Sequence, residues 1–391
     1  MNTYKIIMLG PSGSGKTVFL ASMYNKLCTQ GEAGFFIEID SAEKSKQLHD
    51  LYTQIAFEEK WPPGTRRSEV SEWTFTCRVQ TKDLPIYPAC QFTYLDYAGG
   101  LLTDQTDEND AKFHEQVNKA DALLCLLDGQ RLCALMRNEK IGLKWAVNEL
   151  PKIFSIIQKS GKPIHFLISK WDIVEKQYTL EQIRDCLLKI EQFKNLVFSY
   201  NNAGKPVRLI PVSAVGKDFA TLSPDGSMTK NLSVLPKPFQ VEIPLACVLP
   251  DIIQADCKEV IDKMREQANR PIEVKANLQW WEQVGQVVGE GLKAAQDFLP
   301  SVVDFFLPKK YAALQDTILK MVEFAIESAE APAKQKQEAA VRRSADLLEE
   351  REELFKKVEN EETALKYSLN CFLSVQNDFN RKFPESDLKL P

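Results

Sequence analysis

Gly10-Pro11-Ser12-Gly13-Ser14-Gly15-Lys16-Thr17 decides how this chain is read. The octapeptide follows the pattern G-x-x-x-x-G-K-[ST]. An apolar run, Tyr4-Lys5-Ile6-Ile7-Met8-Leu9, precedes it and reads as a buried strand. Val18-Phe19-Leu20-Ala21-Ser22-Met23-Tyr24 follows and reads as a helix. Strand, glycine loop and helix in that order give the pattern its chemistry. The glycines let the backbone curl so that several N–H groups face one spot, and the helix dipole adds positive charge there. The loop therefore reads as a phosphate cradle built from Ser12, Gly13, Ser14, Gly15, Lys16, Thr17 and Val18. Lys16 is placed to reach the outer phosphates, and the Thr17 hydroxyl to hold Mg²⁺.

Working outward, Phe35 to Ile39 reads as a strand and Ser41 to about Glu58 as a helix. Trp61-Pro62-Pro63-Gly64-Thr65 is neither, because two prolines and a glycine interrupt it. Glu72 to Val79 alternates like a half-exposed strand. Gln91–Leu95, Ala122–Leu127, Ile164–Ile168 and Val207–Val212 are further apolar strand candidates, with helical stretches between the later ones. Strands alternating with helices predict a largely parallel sheet with both faces covered. Ligands of such sheets sit at the carboxyl ends of the strands.

Composition sets outer limits. The chain has 391 residues, is 44% hydrophobic and 26% charged, and carries a net charge of −5. That is a globular composition, and its acidic balance argues against a broad nucleic-acid surface. No apolar run is long enough for a membrane span. With the glycine loop starting near residue 10, no signal peptide is expected ahead of it. Nine scattered cysteines without C-x-x-C spacing read as reduced thiols, so the expected location is cytoplasmic. With three histidines a histidine metal site is not expected, and His165, inside an apolar strand, reads as a core residue.

Residues at the strand ends converge on one ligand. Asp96-Tyr97-Ala98-Gly99 is a D-x-x-G, in which Asp96 can hold Mg²⁺ through water and Gly99 can offer its N–H to a terminal phosphate. Ser169-Lys170-Trp171-Asp172 places a carboxylate where it can accept from N1–H and the 2-amino group of guanine. Adenine has neither donor, so a buried Asp172 would stay unpaired with it. The Lys170 stem can lie over base and ribose. Ser213-Ala214-Val215 follows the next strand, with the Ala214 N–H placed for the guanine oxygen.

In this order the motifs resemble the TRAFAC class of P-loop GTPases, over about residues 3–250. Ser169 stands where that class more often has Asn, which implies a weaker tie to the phosphate loop. Trp61–Thr65 and the Pro236–Pro250 stretch further resemble the bacterial double-GTPase group, which is linked to conflict or defence systems. The resemblance implies an α/β fold: a P-loop NTPase with a doubly wound, mostly parallel sheet over 1–250, then an all-α helical domain over 251–391. It implies GTP and GDP as ligands, with Thr17, Thr65 and Asp96 around Mg²⁺. Lys16, Thr65 and Gly99 are then the expected catalytic set, with Thr65 the candidate switch threonine and Thr53, in a helical pattern, its rival.

Ras-like proteins position the attacking water with a glutamine directly after D-x-x-G. Here Gly100 stands there. Slow intrinsic turnover is expected, completed by a partner, by a second copy, or by Arg66 or Arg67 beside Thr65. Beyond Asp251 the strand signals stop. Trp281, Val284, Val288, Leu292, Ala295 and Leu299 recur at helical spacing. A second helix is expected over about Tyr311–Ala329, and a long one over about Lys334–Phe379. The acidic residues Glu282, Glu290 and Asp297 argue against membrane docking of the first. The expected protein is a slow GTP-dependent switch whose helices engage a protein partner, with a homodimer as one option. A nucleotide-binding scaffold with negligible hydrolysis is the alternative, and a dynamin-like membrane-associated GTPase the third.

Overall fold

A computed structural model describes residues 1–63, 70–97, 107–223, 226–268, 309–321 and 333–388. Its centre is β1 (Asn2–Leu9), whose residues Ile6, Ile7, Met8 and Leu9 are fully buried. Tyr4, Ile6 and Met8 face one hydrophobic cluster, and Ile7 and Leu9 the other. A strand covered on both faces has no polar side to show, which is why this run reads as continuously apolar. The other strands are β2 (Phe36–Ile39), β3 (Val70–Gln80), β4 (Ile86–Tyr97), β5 (Ala122–Asp128), β6 (Ile164–Ser169) and β7 (Val207–Pro211). They form one sheet in the order β2-β3-β4-β1-β5-β6-β7.

From β4 to β7 all pairings are parallel. The β2–β3 and β3–β4 pairings are antiparallel, so the sheet is mostly parallel with an antiparallel margin. Strand β4 is longer than its apolar centre Gln91–Leu95 indicates, because it pairs along nearly all of β3. Helices α1 (Lys16–Leu27), α2 (Ala42–Phe57), α3 (Asp107–Lys119), α4 (Gly129–Met136), α5 (Lys140–Asn148), α6 (Leu150–Ser160), α7 (Trp171–Val174), α8 (Leu180–Leu188) and α9 (Glu191–Asn202) connect the strands. A separate antiparallel hairpin, β8 (Ala220–Leu222) with β9 (Met228–Lys230), follows β7.

The C-terminal region is helical, and its described helices join the sheet's own core. Position 250 falls inside α10 (Ile243–Ala268), which supplies Leu245, Val248, Leu249 and Ile252 to the cluster around Ile6 and Met8. The segment expected as one long helix is two: α11 (Ala333–Lys356) and α12 (Glu361–Lys382). Asn360 ends the run. Its side chain accepts from the Thr363 N–H at 2.9 Å, and Thr363 Oγ1 accepts from the Asn360 N–H at 3.1 Å. This reciprocal cap satisfies N–H groups that a new helix would otherwise leave bare. The two helices run antiparallel, as the Asn377–Ser344, Asn370–Glu350 and Tyr367–Phe355 contacts require. Helix α12 lies on the sheet, with the Phe372 ring edge-on to Phe35 at 4.8 Å and to Phe92 at 6.0 Å. Burying one such side chain stabilises by about 1.5–3 kcal/mol. The stretch around Trp281–Leu299 lies outside the described residues. Among the described residues no helix is long and apolar enough to cross a membrane.

A buried ionic cluster locks α10 and α12 to the sheet. His165 on β6 and Arg208 on β7 are cross-strand partners. Both meet Asp251 of α10: Arg208 donates to it through Nε and Nη2, and His165 Nε2 lies 2.8 Å from Oδ2. From α12, Gln376 Nε2 donates to Asp251 at 2.9 Å, and Asn380 accepts from Arg208 at 3.1 Å. His165 is thus the core residue expected, now with a partner. Burial alone would raise the Asp251 carboxyl. The Arg208 guanidinium, then His165, outweigh it and hold the group well below the carboxylate range, at about 2.

A depressed carboxyl contributes stability that is present above its unfolded value, near 3.9, and is lost as pH falls toward about 2. Asp251→Asn leaves Arg208 buried without its counter-charge, and a loss of about 3–5 kcal/mol in denaturant unfolding is expected. The variant's stability is also expected to vary less between pH 4 and pH 2 than the wild type's.

Candidate functional site

Where β1 ends, the chain must turn sharply into α1. Gly15 makes the turn at φ 92°, a left-handed conformation that side chains resist, and it stands as the residue before the helix. The first N–H groups of α1 lack intrahelical partners, so this end of the site is rich in donors. Lys16 is buried, and its Nζ donates to the Gly10 carbonyl at 2.8 Å, across its own loop. Burial lowers the Lys16 pKa and the neighbouring Asp96 opposes that. Ser14 Oγ is buried without a hydrogen-bond partner. Asp96, at the end of β4, is buried beside Met8 in the register of β1.

The opposite end is built by β6 and β7. Strand β6 delivers Ser169, whose hydroxyl donates to the Leu127 carbonyl at 3.2 Å, tying it to β5. Lys170 takes the left-handed conformation at φ 54° and its Nζ bonds Asp128 Oδ1 at 2.9 Å. Asp172 follows in α7 and is buried. Its Oδ1 accepts from Ser213 Oγ at 2.6 Å, and Ser213 Oγ in turn accepts from the Gly216 N–H at 2.8 Å. Asp172 Oδ2 is buried and has no hydrogen-bond partner. Burial raises the Asp172 carboxyl, and the Ser213 hydrogen bond partly offsets that.

Both ends open into one cavity of about 400 Å³. It is lined by the expected Ser12, Gly13, Ser14, Gly15, Lys16, Thr17 and Val18, and by Lys170, Asp172, Ser213, Ala214 and Val215. Residues more than 150 positions apart in the sequence thus meet around one space. Asp96 is not among the lining residues. Thr65, Gly99, Gly100, Arg66 and Arg67 lie outside the described residues. Among the described residues no group of three or more His, Cys, Asp or Glu side chains could hold a metal ion.

Trp61, Pro62 and Pro63, from the segment that leads to Thr65, line the cavity directly. One part of the wall was not expected from the sequence: Met228 of β9 lines it too. The signal for the hairpin was present in the sequence Pro224-Asp225-Gly226, residue types that favour turns. The cavity therefore has a donor-rich end, an unpaired carboxylate oxygen at the other, and apolar sides between. No protein-family model matches the chain, and no curated protein matches it.

Gly216 keeps the carboxylate end in place. Residues 213–215 pair with 237–239 through three backbone hydrogen bonds: Ser213 and Phe239 exchange both N–H groups, and the Lys237 N–H donates to the Val215 carbonyl. A Cβ on Gly216 would stand 1.9 Å from the Lys237 carbonyl oxygen, at a φ of 75°. Gly216→Ala is expected to cost about 1–3 kcal/mol in thermal or denaturant unfolding and to weaken any ligand that engages Asp172.

Proposed function

We propose that this protein binds guanine nucleotides with Mg²⁺ and hydrolyses GTP slowly. The observation that carries the reading is the single cavity joining the Gly10–Thr17 loop to Asp172, whose Oδ2 is buried and unpaired. An unmatched buried acceptor is costly, on the order of 1–3 kcal/mol. A ligand with two adjacent N–H donors removes that cost, and the N1–H and 2-amino edge of guanine is such a ligand. The Ser213 hydroxyl donates to Oδ1, so the carboxylate faces the ligand as an acceptor. Phosphates fit the other end. There Lys16 exchanges the Gly10 carbonyl for phosphate oxygens, and the N–H groups at the start of α1 complete the cradle.

Magnesium suits the donor set beside the phosphates. Thr17 lines the cavity, and Asp96 is near enough to influence the charge of Lys16. These two would hold the ion, Asp96 through water, and the ion would neutralise charge on the transferred phosphoryl group. Lys16 stabilises the same charge from the protein side. Gly100 in place of a water-positioning glutamine supports slow turnover. The strand order, with antiparallel β3 beside β4, is compatible with the TRAFAC resemblance. Helix α12 packs on β4, the strand that carries Asp96 next to its last residue, which supports a role for the helical region in passing nucleotide state to a protein partner.

Titration calorimetry with GTP, ATP and XTP tests this reading. Wild type is expected to prefer GTP over ATP, and Asp172→Asn to weaken GTP by about 100-fold. The same variant is expected to gain affinity for XTP, whose 2-oxo group can accept from an amide. Equal binding of ATP and GTP by wild type would refute guanine recognition.

A further inference from the structure

Trp61 is an indole on a loop, yet it is held from several sides. Its Nε1 donates to the Met228 carbonyl at 2.8 Å, and the buried Phe219 ring meets it edge-on at 6.4 Å. Lys230, two residues beyond Met228 on the same strand, places Nζ 4.6 Å from the Trp61 ring centroid. That ammonium also donates to the carbonyls of Gln54 at 3.0 Å, Glu58 at 2.8 Å and Lys60 at 3.0 Å. Its three N–H groups are thus spent on the carbonyl-rich end of α2 and the residues leading to Trp61. A cation suits that place, because the helix dipole leaves partial negative charge there. Trp61 and Met228 line the cavity, whereas Lys230 does not.

Resting on the reading of the cavity as a nucleotide site, we propose that Lys230 is a positioning residue that fixes Trp61 as a wall of that site. Strand β9 acts as the support. Met228 holds the indole N–H, Lys230 covers the ring, and the same ammonium pins the strand to the end of α2. An unsupported indole would have to be ordered each time ligand bound, at a cost in affinity. Fixed in advance, the ring gives the ligand an apolar surface without that cost. Losing Lys230 therefore acts on the ligand through Trp61, and it acts mainly on the rate of release.

The test is a double-mutant cycle on the full chain, with GDP as the titrant. Trp61→Ala, Lys230→Met, Lys230→Arg and the Trp61→Ala/Lys230→Met pair are compared with wild type by calorimetry, with stopped-flow release rates. Lys230→Met is expected to weaken GDP by roughly three- to tenfold. Lys230→Arg, which keeps the charge over the ring, is expected to stay within about twofold of wild type. In the Trp61→Ala background, Lys230→Met is expected to add less than about twofold. A merely structural lysine would give effects that multiply in the pair, and that result overturns the proposal, as does unchanged affinity in Lys230→Met. Should Lys230→Met fail to fold, Lys230→Gln in the same cycle decides between these outcomes. Wild type that binds no GDP would overturn the nucleotide reading and this inference with it, an outcome distinct from normal wild-type binding with an unaffected Lys230 variant.

Discussion

Parallel pairing is the constraint on which this molecule is built. Strands β4, β1, β5, β6 and β7 run the same way, so each needs a crossover and all end on one edge of the sheet. Asp96, the glycine loop, Asp128, Ser169 and the Ser213 turn lie at, or just beyond, the carboxyl ends of those five strands. Their nearness owes nothing to their spacing in the chain. It follows from register: Met8 opposite Asp96, and Asp128 opposite Ser169. The helices on both faces keep the strands dry, and dry strands keep that register fixed.

The two ends of the same strands carry different electrostatics. At the starts of β6 and β7, His165, Arg208 and Asp251 are buried together and nearly every charge has a partner. At their ends, Asp172 is buried with one oxygen satisfied and one not. A carboxylate with both oxygens paired, as in Asp251, suits a joint between helices and sheet. One with an oxygen unpaired suits a place where a ligand supplies the missing donors. This contrast distinguishes the carboxylate that holds the fold from the one that faces the cavity.

Much of this was legible in the sequence, for physical reasons. Central strands buried on both faces are apolar runs, and the glycine loop has few residue choices, so β1, β5, β6 and the loop stand out. Strand ends are fixed by where those runs stop, which is how Lys170, Asp172 and Ser213 were found. The rest depends on contacts between distant residues. His165 and Asp251 are 86 positions apart, and Gln376 and Asp251 are 125 apart, so no local pattern announces them. The β8–β9 hairpin is short and polar, and its value lies in what it touches, Trp61 and the end of α2. The break between α11 and α12 was within reach, since Asn360 and Thr363 form a cap, but Val341, Leu348 and Phe355 before it and Leu365, Phe372 and Phe379 after it recur every seven residues and concealed it.

The most direct test is a structure of the protein with Mg²⁺ and a non-hydrolysable GTP analogue. The expected result has the guanine N1–H and 2-amino group within hydrogen-bond distance of Asp172. Lys16 is expected to leave the Gly10 carbonyl for the phosphates, with Trp61 and Met228 flanking the ligand. A nucleotide bound elsewhere, or one whose base turns away from Asp172 while Lys16 stays on Gly10, would contradict this account.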